Sequence, residues 1–102
     1  MNIKQLLYFT TIAEEKQITR AAKKLHIAQP PLSHQLKLLE EELGVLLLER
    51  NGKEMELTDA GKLLFRRGKA ILENIKETRN QVQEVGEGIR GVLSIGSVKT
   101  CF

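Results

Sequence analysis

Side chains able to carry covalent or metal chemistry are few and scattered: one aspartate, Asp59, one cysteine, Cys101, and two histidines, His26 and His34, eight positions apart. No glycine-rich phosphate loop accompanies them, so neither a nucleophile with its base nor a metal cluster can be assembled, and no catalytic, metal or cofactor residue is assigned. The concentrated chemistry is of another kind. From Lys16 to Leu39 the chain runs 24 residues without an acid and carries Lys16, Arg20, Lys23, Lys24 and Lys37 beside the polar Thr19, Gln29, Ser33 and His34. Cations neutralise phosphates and neutral polar groups read base edges, and the two together are what a nucleic-acid surface requires. Glu40, Glu41 and Glu42 follow at once. On charge alone, a solvated face fits equally well.

The elements that must position this set are mainly helical. Asn2 and Gln5 form a capping pair ahead of Ile3, Leu6, Leu7, Phe9 and Ala13, a buried helical face ending near Lys16. Thr19, with Ile18 as a staple, is expected to cap a second helix of barely two turns, buried through Ala22 and Leu25. After a tight connection over residues 27–29, Leu32, Leu36, Leu39 and Leu43 define a third helix. Pro30 and Pro31 mark its start, because proline lacks an amide that the first turn does not use; Pro30 is taken as the flank and Pro31 as the first helical residue. Opposite the leucines lie Gln29, Pro30, Ser33, His34 and Lys37. Two short helices, a tight turn and a polar-faced second helix match the helix-turn-helix plan, in which that helix enters the major groove by its N-terminal end.

Asn51-Gly52, between Leu47-Leu48 and the alternating Met55 and Leu57, predicts a hairpin with both turn residues at positive φ. Such a hairpin is a wing, with Arg50 and Lys53 flanking its tip and Glu54 and Glu56 in the same strand pair. Thr58 is expected to cap a last helix, and Asp59 suits its positive end. From Leu57 through Gly61, Leu64, Gly68, Ile71, Ile75, Thr78, Val82 and Val85 to Ile89 the spacing alternates four and three without a slip. That is a helix-packing seam, on the order of 44 Å long at roughly 1.5 Å per residue. A small domain covers only part of it, so Leu64, Ile71, Ile75, Thr78, Val82, Val85 and Ile89 are assigned to a partner subunit, while Phe65 and Leu72 fold back.

The ordered run "ITRAAKKLHIAQPPLSHQLKLLEEELGVLLLER", then "LTDAGKLL", resembles the N-terminal DNA-binding domain of LysR-type transcriptional regulators from Met1 to about Gly91. The resemblance implies a mainly α fold: a winged helix-turn-helix of three helices and a short hairpin over 1–57, then a long dimerisation helix over 58–89. It also implies that 90–102, "RGVLSIGSVKTCF", is the start of a truncated effector domain, disordered by itself. The implied function is sequence-specific binding of double-stranded DNA by a cytoplasmic, homodimeric bacterial regulator at a two-fold site, with higher oligomers in the full-length protein. Any small-molecule co-inducer would bind the C-terminal domain. Gln29, Pro30, Pro31, Ser33 and His34 match the recognition-helix contacts and Lys53 the basic wing residue; Thr19, Arg20, Lys37 and Arg50 complete the expected DNA-facing set. Four departures are visible: Ala28 where Ser or Thr is usual, His34 where Arg is common, Leu48 for an aromatic, and Glu54 and Glu56 where wings are often basic.

A chain of 102 residues with net charge +3 fits one small domain with an appended element. It contains no apolar run of membrane-spanning length. A winged domain that binds protein rather than DNA is the rival reading, and it predicts no salt-dependent DNA affinity. A different winged-helix family with a long dimerising helix would leave the chemistry unchanged.

Overall fold

The computed structural model describes the backbone of residues 1–92 and the side chains through Glu87. Its order is α1 (Ile3–Glu15), α2 (Ile18–Leu25), α3 (Gln29–Leu43), β1 (Leu48–Asn51), β2 (Glu54–Leu57) and α4 (Asp59–Val92). By internal contacts the chain divides into two units, Met1–Leu72 and Glu73–Phe102.

In the first unit α1, α2 and α3 enclose a core of Phe9, Ile12, Ala21, Ala22, Leu32, Leu36 and Leu39, closed by Leu47 and Leu48. The Asn2 side chain accepts the Gln5 amide at 2.7 Å. The expected return contact is absent, because the Gln5 side chain donates instead to Gln35 Oε1 at 3.1 Å and ties α1 to α3. On α1 the apolar residues outnumber the positions that α2, α3 and the start of α4 can cover. Ile3 and Leu7 are therefore exposed, against expectation, while Ile12 is fully buried. Leu43 is exposed too. It ends α3, and Gly44 then turns the chain away at φ 73°.

Before α4, three boundaries differ from the sequence reading. Lys16 takes a left-handed φ of 64° and Gln17 is extended, so α2 begins at Ile18 with Gln17 as its cap; Thr19 lies inside the first turn and caps nothing. α3 begins at Gln29, which puts both prolines within its first turn. The unused amides of that turn accommodate both rings, and this outweighs the bias of a pre-proline residue away from helix. Ala28, standing where Ser or Thr is usual, offers no side-chain cap. In the hairpin, Asn51 pairs with Glu54, so the two turn residues are Gly52 and Lys53. Only Gly52 has a positive φ, 66°. Glycine at the first central position is the pattern of a type II′ turn, whereas Asn51-Gly52 would have required positive φ at both.

Thr58 caps α4, accepting the Gly61 amide at 3.0 Å. The helix reaches Val92, so residues 90–92 are helical rather than the opening of a strand. No proline stops it after Val85, and Gly86, Gly88 and Gly91 weaken the helix without ending it there. The remainder of the expected strand, 93–102, and the Ile89 side chain lie outside the described residues.

Candidate nucleic-acid interface

The turn between α2 and α3 is set by His26, left-handed at φ 59°, whose amide and that of Ile27 return to α2 carbonyls. Three residues later α3 starts, and its first turn carries no acid. The helix dipole leaves that end electropositive, although Pro30 and Pro31 offer no amide of their own. Gln29, Pro30, Pro31, His34 and Lys37 are exposed and Ser33 half-buried, while Leu32 and Leu36 face the core.

The hairpin is tied down at both ends. In β2 the Met55 amide donates to the Lys16 carbonyl at 2.7 Å, which fixes the returning strand to the end of α1. At the start of β1 the amides of Leu47 and Leu48 donate to the Glu40 carboxylate. Glu40, which the sequence shows only as the first of three successive glutamates, is thus engaged by backbone. An acid one turn before a helix-ending glycine, followed by a short loop with free amides, was the available signal.

Register sorts the wing's charges. Arg50 pairs with Met55, and Leu48 with Leu57, on one face; Glu49 pairs with Glu56 on the other. The acids that weaken the wing's basic character therefore lie on the face opposite Arg50, and two of them oppose each other across the strands.

Four of the sequence-selected residues meet around one depression. Thr19, Gln29, Arg50 and Lys53 line a hollow of about 350 Å³ between the start of α2 and the wing, together with Gln17, Ile18, Gly52 and Met55, which lie outside the DNA-facing set expected from sequence. Ser33 and Lys37 line a second hollow of about 540 Å³ with Leu36, Glu41, Val45 and Leu46, and Ile18 borders both. Arg20, Pro30, Pro31 and His34 are exposed and line neither.

The seam residues divide. Leu64, expected to await a partner, packs with Phe65 against the first unit's own core. The Thr58 cap and the close approach of Gly61 to Leu47 lay the opening turns of α4 on that core. Ile71 is exposed. In the second unit Ile75 is half-buried, Val82 and Val85 are exposed, and the Thr78 hydroxyl donates to the Asn74 carbonyl at 2.7 Å. Among the described residues no group of three or more His, Cys, Asp or Glu side chains could hold a metal ion, and no helix is long and apolar enough to cross a membrane.

Residues 3–62 match the family of bacterial regulatory helix-turn-helix proteins of lysR type. The chain belongs to the LysR family. It is 53% identical to the HTH-type transcriptional regulator BsdA of Bacillus subtilis (strain 168), over 99% of this chain and 35% of that protein. The crystal structure of a BenM DBD complex with catB site 1 DNA is similar at TM-score 0.82 and 38% identity, covering 84% of this chain and 97% of that one. That of a CbnR DBD–DNA complex is similar at TM-score 0.78 and 38% identity, covering 84% and 99%. This LysR-family chain spans about a third of the length of the curated relatives it matches. Its winged helix-turn-helix is the fold of those neighbours, and the resemblance read from the sequence is the family found.

Proposed function

We propose that this LysR-family chain is the part of a homodimeric bacterial transcriptional regulator that binds a specific double-stranded DNA site, in the cytoplasm, and catalyses nothing. The observation that carries the reading is the shared hollow of Thr19, Gln29, Arg50 and Lys53 beside the acid-free, exposed start of α3. In this reading α3 enters the major groove, where Gln29, Pro30, Pro31, Ser33 and His34 meet base edges. Thr19, Arg20, Lys37 and Arg50 hold phosphates, and Lys53 at the wing tip approaches the minor groove. Two structural neighbours being DNA complexes supports it. Ile71, Ile75, Thr78, Val82 and Val85 form the contact between two copies, which places two recognition helices on a two-fold site. Co-inducer sensing belongs to a C-terminal domain of the full-length regulator, where higher oligomers are also built.

The test is a fluorescence-anisotropy titration on a duplex selected from a random pool. Between 50 and 200 mM salt, affinity is expected to fall by roughly three orders of magnitude, as counterions are released from several phosphates. Affinity indifferent to salt would remove the electrostatic basis of the reading and favour a protein partner. Ser33→Ala and His34→Ala should each alter base preference at a cost of about 1–3 kcal/mol, whereas Lys53→Ala should weaken selected and random duplexes alike. Equal loss on both duplexes for all three would reject this recognition face.

A further inference from the structure

The four-residue link Gly44–Leu47 between α3 and the wing is held from two sides by side chains that no DNA contact uses. From α3, Glu40 Oε2 accepts the amide of Leu47 at 2.8 Å and that of Leu48 at 3.3 Å. The Glu40 carbonyl also accepts the Gly44 amide at 2.8 Å, so one residue both ends the recognition helix and grips the first residues beyond the link. From the α4 side, the Thr58 hydroxyl donates to the Leu46 carbonyl at 2.6 Å and the Thr58 amide to the Leu47 carbonyl at 3.0 Å. A Cβ at Gly61 would stand 2.0 Å from that Leu47 oxygen, which shows how closely the link lies on α4. Leu47 and Leu48 are themselves 1% and 5% exposed, so water is a poor substitute for the carboxylate at their amides.

Charge-assisted hydrogen bonds from one carboxylate oxygen to two successive amides fix direction as well as distance. β1 departs from those two amides and carries Arg50 two residues on, and the turn behind it carries Lys53. The geometry points to Glu40 as a positioning residue for DNA binding: its carboxylate sets where the wing stands relative to the recognition helix, so that base contacts from α3 and the wing's cationic contacts fall on one duplex together. This rests on the DNA-binding reading above.

The test is a double-mutant cycle on the selected duplex, using the whole chain. In the parent, Lys53→Ala and His34→Ala are each expected to cost roughly five- to tenfold in affinity. In a Glu40→Ala background the Lys53→Ala loss should shrink to less than about twofold while the His34→Ala loss stays whole, since only the wing has come away. A Glu40 that merely stabilised the fold would scale every affinity by the same folded fraction and leave both ratios intact, and that result overturns the proposal. Glu40→Gln, which keeps an oxygen for the two amides, should restore most of the Lys53 ratio. If Glu40→Ala does not fold, Glu40→Met, which keeps the side chain's bulk and offers the two amides no oxygen, takes its place: a Lys53 loss below about twofold supports the proposal, and a parental ratio overturns it. Residual dipolar couplings of hairpin amides 48–57 measure the wing's orientation without DNA. They should change in Glu40→Ala, or in Glu40→Met where the alanine variant does not fold, while those of α1 and α3 do not. Unchanged hairpin couplings overturn the proposal. A parent that binds no duplex rejects the DNA reading and leaves these couplings to decide the role of Glu40.

Discussion

The winged unit, Met1–Leu72, and the helical stretch that follows it share one apolar repeat and differ in what answers it. In the first unit Phe9, Ile12, Leu32, Leu39 and Leu47 are all but fully enclosed by the chain itself. Beyond Leu72, Val82 and Val85 keep more than 60% of their surface exposed. Residue size along the repeat tracks the change. Gly61 and Gly68 are buried, and a Cβ there would meet the Leu47 carbonyl or the Leu6 and Thr10 side chains. Ile75 and Val82 follow at the same seven-residue spacing, with bulk where Gly61 and Gly68 have none. Along this four-three repeat, glycine at every seventh position goes with a face laid on its own domain, and bulk at that position with a face the chain leaves partly or wholly exposed.

The strongest way to break that contrast is Ile75→Glu. If the later seam is the contact between two copies, a carboxylate there is an unpaired ion in an apolar helix-helix core, which is strongly disfavoured. Sedimentation should report a monomer, and circular dichroism a winged unit still folded, because its core lies within the first 72 residues. Affinity for a two-fold site should drop by about two orders of magnitude or more, as the second recognition helix loses its effective concentration. A variant that stays dimeric, or a monomer that binds the full site as the parent does, would remove the later seam from the interface.

The opposite face of the comparison is probed by Gly61→Ala, for which stability is the readout. The added methyl would lie 2.0 Å from the Leu47 oxygen and 2.9 Å from its carbon, both backbone atoms that cannot rotate aside. Better helix propensity returns up to about 1 kcal/mol, against an overpacking cost on the order of 3 kcal/mol with the Thr58–Leu47 bond disturbed as well. Chemical denaturation should show a net loss of about 2 kcal/mol or more; parental stability would mean that the link and α4 are not in close contact.

Periodic features were legible in the sequence, and features set by competition between neighbours were not. Leu32, Leu36 and Leu39, the Thr58 cap, the hairpin and the four-helix order follow from spacing and turn chemistry, and all are present. The turn slipped by one residue because Asn51-Gly52 and Gly52-Lys53 both offer a glycine, and the choice falls to strand register. Thr19 was misread as a cap because the left-handed Lys16 that ends α1 starts α2 early, and a lysine carries no signal for that conformation. Of the interface, the cationic and polar side chains could be read as a set. Their division between two hollows depends on where the wing sits, and the bonds that place it, Met55 to Lys16 and Leu47 to Glu40, join residues seven to 39 positions apart, each through a main-chain amide that sequence does not distinguish from others.

The smallest expected effect sharpens the comparison most directly, because it repeats the glycine substitution on the same helix within the second unit. Gly86 is helical, and a Cβ there would meet nothing within 4 Å. It sits beside Val85 and one turn after Val82, next to the seam but outside its register. Without a contact to lose, Gly86→Ala acts through propensity alone and should stabilise the local helix by about 0.5–1 kcal/mol. Hydrogen exchange should slow at amides around 82–88, and the dimer dissociation constant should move by less than about threefold, since the methyl adds no buried contact. A clear weakening of the dimer would instead show that the partner's backbone approaches at Gly86. The covered face of the second unit would then be wider than its seam, and its glycine would serve as Gly61 does in the first, as a place kept open for another backbone.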